Sequence, residues 1–65
     1  MFYVDNDKTL LRAARVLAAL RSLPQERISK FERDNCITDL EYAIRERNFR
    51  LIEALLITSP YNWVA

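Results

Sequence analysis

From Leu10 to Leu23 the chain reads Leu-Leu-Arg-Ala-Ala-Arg-Val-Leu-Ala-Ala-Leu-Arg-Ser-Leu, with no Gly, no Pro and no acidic residue. Ala, Leu and Arg lose little rotamer freedom in a helix, so this stretch predicts a helix over about residues 6–22. At about 100° per residue, Lys8, Arg12, Arg15 and Ser22 share one narrow arc and nearly everything else is apolar. A helix that meets a single surface needs an apolar stripe on the order of 100° wide, and this arc is about twice that. The pattern therefore calls for neighbours on two or three sides.

Asp5-Asn6-Asp7 supplies side-chain acceptors for the free amides at the start of this helix, and negative charge suited to its dipole. Ser22-Leu23-Pro24-Gln25 breaks the pattern, because Pro24 disfavours helical geometry at Leu23 and fits the first turn of a new helix. Ser22 and Gln25 also have capping-box spacing. A second, mostly charged helix is expected over about 24–34, with Ile28 and Phe31 facing inward and Asn35 as the left-handed residue that ends it.

Thr38-x-x-Glu41 reads as a further capping box, with Ile37 set to staple against Tyr42, and opens a third helix over about 39–58 that Ser59-Pro60 stops. Glu41–Arg45 and Glu46–Arg50 stand at i,i+4 spacing along it. Leu40, Ala43, Ile44, Leu51, Ala54 and Leu55 line one apolar face, and Tyr42, Phe49, Ile52 and Leu56 another. Arg47-Asn48 is the weak point of this helix, which divides there in the alternative reading; Asn48 is then a turn residue, or else a polar residue in a helix seam. The fold class is all-α: three helices in a single small domain over residues 1–65, with the first and third forming an antiparallel hairpin that dimerises into a bundle.

Composition sharpens this in two ways. A 65-residue chain is near the size at which one core only just suffices, and it has one Cys and no His. No intrachain disulfide is possible and a zinc site would need unusual carboxylate ligands, so dense helix packing or self-association must supply the missing stability. Leu10, Ala13, Leu17, Leu20, Phe49, Ile52 and Leu56 are the expected dimer interface. Cys36, between Asn35 and Ile37, reads as a small buried apolar residue rather than a reactive thiol. No signal-peptide pattern or long uncharged apolar run is present, which suggests a cytoplasmic protein with no membrane partner.

The net charge is +1, but residues 8–21 alone carry +4. Lys8, Arg12 and Arg15 are the candidate face for an acidic partner or nucleic acid, with Arg45, Arg47 and Arg50 able to contribute if assembly brings them alongside. The competing reading is a solvated strip on an otherwise buried helix. Arg21 points into the apolar arc and is expected to pair with an acid or a helix-end carbonyl. The aromatic ends, Phe2, Tyr3, Tyr61 and Trp63, read either as an interaction surface or as lids on the core. There is no His, no Ser or Cys beside a recognisable base and no Gly-rich phosphate loop, so no catalytic residues, cofactor or metal are expected.

Two resemblances follow from these residues. Thr38-Asp39-Leu40-Glu41-Tyr42-Ala43, followed by Asn48-Phe49-Arg50-Leu51-Ile52-Glu53-Ala54-Leu55-Leu56, resembles one ankyrin repeat, with Asp39 and Glu41 in place of the usual Pro and His and Arg47 in place of the turn Gly. A lone repeat cannot bury its own faces, so this is read as helix-pair patterning rather than membership. Across its length the chain resembles the small helical accessory proteins of lambdoid phages and prophages: Arg-rich, Gly-free, opening Met-Phe-Tyr-Val-Asp-Asn-Asp-Lys and closing on an aromatic tail. That resemblance implies a non-enzymatic role in early lytic development, in the host cytoplasm, through a host protein and on a dimeric helical-hairpin scaffold.

Overall fold

A computed structural model of the chain describes residues 6–64; the expectations for Phe2, Tyr3 and the Asp5 cap lie outside them. The described residues form three α-helices and no strand: α1 (Asn6–Arg21), α2 (Lys30–Arg45) and α3 (Phe49–Leu56), followed by a single 3₁₀ turn over Tyr61–Trp63. Helix α1 packs on both α2 and α3, which also pack on each other, and α3 is in contact with the 3₁₀ turn.

The first helix closely follows its predicted bounds. Thr9, Ala13, Val16 and Leu20 are its buried positions, spaced i, i+4, i+7, i+11, as one face of a 3.6-residue repeat requires. The middle of the chain departs from the expected boundaries. Ser22 does not cap a new helix; its hydroxyl donates to the Ala18 carbonyl oxygen at 3.3 Å. Residues 22–29 form a turn-rich connection, with the Arg27 amide donating to the Pro24 carbonyl at 3.0 Å. The second helix begins instead at Ser29, whose hydroxyl accepts from the Glu32 amide at 3.1 Å. Ser29-x-x-Glu32 has the same spacing as the motif assigned to Thr38, and it holds the helix start.

Asn35 accordingly lies within α2 rather than ending a helix, and Thr38 and Glu41 lie within it rather than starting one. The reason is burial. Cys36, Ile37, Leu40, Ala43 and Ile44 continue one core-facing stripe across the supposed boundary. The modest helix propensity of Asn, a few tenths of a kcal/mol below the better formers, is small beside that burial. Ile28 is buried as expected, whereas Phe31 is 78% exposed and is not its inward partner.

The division at Arg47-Asn48 is real. Arg47 has φ 52°; its amide donates to the Ile44 carbonyl and the Asn48 amide to the Ala43 carbonyl, each at 3.0 Å. This pair of bonds is the Schellman closure, with Arg47 in the left-handed place that Gly usually takes. Asn48 then caps α3, its side-chain oxygen accepting from the Leu51 amide at 3.2 Å.

The core is one cluster: Ala13, Val16 and Leu20 from α1, Leu40 and Ala43 from α2, Ile52 and Leu56 from α3, and Tyr61. The Tyr61 hydroxyl donates to the Cys36 carbonyl oxygen at 3.0 Å, tying the C-terminal turn to α2. Arg33 holds the first connection, donating to the Leu23 carbonyl at 3.4 Å. The molecule is elongated, 43 × 19 × 16 Å. No helix among the described residues is long and apolar enough to cross a membrane.

Candidate functional site

The basic stripe of α1 is partly neutralised from within the chain. Lys8, Arg12 and Arg15 are all exposed, but the Arg12 guanidinium lies 3.3 and 3.4 Å from the two Glu53 carboxylate oxygens. The buried Thr9 hydroxyl donates to the same carboxylate at 2.9 Å. Glu53 therefore joins α3 to α1, and Arg12 serves that junction. Arg12 and Arg15 line a shallow depression of about 190 Å³ with Val16 and Val64. Arg45 lines a different one, of about 180 Å³, with Thr38, Glu41 and Tyr42. Both are smaller than the roughly 300 Å³ at which small-molecule pockets begin, and neither brings Arg45 together with Arg12 and Arg15.

Arg21 pairs with an acid as expected, lying 3.6 Å from Glu41. That draws Glu41 away from the anticipated pairing with Arg45, while Glu46 and Arg50 fall on opposite sides of the Arg47 break and do not share a helix.

The residues assigned to the dimer interface separate into two groups. Ala13, Leu20, Ile52 and Leu56 are at most 2% exposed within a single chain. They form its own core and present no surface, because packing α2 and α3 on α1 uses that side of the apolar arc. Leu10, Leu17 and Phe49 are half-buried at the edge of the core.

What remains in water lies elsewhere: Leu11 (53% exposed), Phe31 (78%), Tyr42 (57%), Ile57 (73%) and Trp63 (47%). Phe31 and Tyr42 are eleven residues apart on α2, three turns of helix, and so lie on one outward face. Leu11 shares the outward face of α1 with the exposed Ala14 and Ala18. The i, i+3, i+7 spacing of these α1 residues is visible in the sequence; which part of the apolar arc turns outward is not. The two aromatics of the tail have different fates. Tyr61 is buried, whereas Trp63 carries the Arg27 guanidinium 5.7 Å above its ring.

Cys36 is half-buried and packed against the core, in keeping with its reading as a small apolar residue. Burial raises its thiol pKa above the ordinary value, with the nearby acids Glu32 and Asp39 adding to the rise. A raised pKa leaves little thiolate at neutral pH. Burial likewise pushes the Tyr61 phenol well above its ordinary range. No family model, curated protein or solved structure matches this chain.

Proposed function

We propose that this chain is a non-enzymatic protein-binding module that works as a homodimer and engages a host protein through the outward face of α2. The observation that carries this reading is the pairing of Phe31 and Tyr42 on one exposed helix face. Apolar side chains scattered singly over a surface need no explanation, but an aligned pair of large aromatics is the usual form of an interaction anchor. Thr38 and Arg45 on the same side of α2 supply the polar rim such a patch takes. The resemblance to small phage accessory proteins supports a host factor as the partner.

The test uses purified wild-type chain beside Phe31→Ser and Tyr42→Ala, both at exposed positions where folding is spared. A bacterial protein retained by the wild type and lost from both variants, and then bound by the wild type as a purified pair, supports the module. Identical retention by all three proteins overturns the α2 face. A nucleic-acid reading through Lys8, Arg12 and Arg15 has less support, since Arg12 is engaged by Glu53. A salt-sensitive shift of DNA or RNA that Arg15→Ala abolishes would put that reading first.

A further inference from the structure

Leu10, Leu11, Ala14, Leu17 and Ala18 occupy one stripe of α1, with Asp7 at its N-terminal end and Arg21 at its C-terminal end. Counted from Ala14, these seven positions are −7, −4, −3, 0, +3, +4 and +7. That is the spacing of a helix–helix seam, and it is symmetric about Ala14. Leu11, Ala14 and Ala18 are exposed and Leu10 and Leu17 only half-buried, so the stripe borders the core without being used up by it.

We infer that this stripe is where a second copy of the chain docks, antiparallel, with the two-fold axis at Ala14. The inference rests on the homodimer reading above and names its surface. In that register Asp7 faces the partner's Arg21 at both ends, joining the exposed guanidinium that already lies 3.6 Å from Glu41 of its own chain, while Leu11 faces the partner's Leu17 and Leu10 the partner's Ala18. The small Ala14 side chains on the axis let the helices approach closely. Charge selects the direction, since a parallel pair would set Asp7 against Asp7 and Arg21 against Arg21 along the same seam. The interface is isologous, as a two-fold contact must be. With one helix from each protomer it lies at the small end of interface sizes, as a weak and reversible contact does.

Charge exchange tests both the surface and the register. Sedimentation velocity across micromolar to millimolar concentration should show a reversible monomer–dimer equilibrium for the wild type. Asp7→Arg and Arg21→Asp should each weaken it by about tenfold or more, because each homodimer then carries two like-charge contacts. Arg21→Asp also gives up the Glu41 pair within its own chain, so Asp7→Arg is the cleaner single variant. An equimolar mixture of the two variants should recover dimer, since the heterodimer restores an attractive pair at both ends. As a check independent of those variants, Ala14→Cys in a Cys36→Ala background should form a disulfide-linked dimer under mild oxidation, whereas Leu11→Cys should not. A dimer that is indifferent to both charge variants, or that fails to cross-link at position 14, overturns this surface and leaves the homodimer standing. A wild-type chain that is monomeric at millimolar concentration overturns both.

Discussion

Arg47 and Asn48 show how two adjacent side chains set the course of the chain. Without a glycine anywhere in the sequence, the left-handed position that closes α2 falls to Arg47, with φ 52°. A Cβ in that region costs about 1–2 kcal/mol, partly offset here by the two closing hydrogen bonds. Arg47→Gly should therefore stabilise the chain by up to about 1 kcal/mol in urea denaturation, since relief of that strain outweighs the added freedom of the unfolded chain. A loss of stability would show that the Arg47 side chain contributes a contact. Asn48→Ala should do the reverse, costing about 1 kcal/mol through loss of the α3 cap. The break was legible in the sequence as a weak point; its geometry follows from Arg47 taking the place of a missing Gly.

At the scale of the helix, two similar motifs compete within α2. Ser29-x-x-Glu32 and Thr38-x-x-Glu41 both have capping-box spacing, and only Ser29 caps. Thr38 is exposed and lies in the middle of the helix. Ser29→Ala should cost about 1 kcal/mol, whereas Thr38→Ala should stay within about 0.5 kcal/mol of the wild type. A loss at Thr38 with none at Ser29 would mean that α2 starts where the Thr38 motif suggests. Local capping chemistry permits either start. The choice goes to the one that lets Cys36, Ile37, Leu40, Ala43 and Ile44 form one uninterrupted stripe on the core, an advantage that no four-residue motif contains.

For the whole molecule the governing fact is a small core. A chain of this length has total stability of about 3–10 kcal/mol, and Leu20 is completely buried at its centre. Leu20→Ala should cost about 2–5 kcal/mol, a large share of that total, and lower the melting temperature followed by circular dichroism accordingly. The C-terminal turn adds a dependence on alkaline pH. The Tyr61 phenol is buried and donates to the Cys36 carbonyl, and its folded-state pKa lies above the unfolded one. Its contribution is complete below about pH 10, the pKa of an unfolded tyrosine. It falls away at higher pH, because the unfolded chain then releases a proton that the folded chain keeps. Cys36, also raised, adds a loss that begins from about pH 8.5. Tyr61→Phe should lower the melting temperature at pH 7 and flatten its decline above pH 10; an unchanged decline would mean that the phenol is not what responds.

Much of this chain was legible from residue pattern alone. Helix propensity and 3.6-residue periodicity act locally, so the all-α class, the first helix and the weak point at Arg47-Asn48 could be read directly. So could the surplus of apolar helix surface, because it is a count of side chains against the faces available to cover them. The choice between Ser29 and Thr38 as a cap could not be read, because it depends on burial shared among three helices. Nor could the side of α1 that turns inward. Its apolar arc is wide enough to meet a partner from several directions, and only the docking of α2 and α3 assigned Ala13 and Leu20 to the core while leaving Leu11, Ala14 and Ala18 facing out.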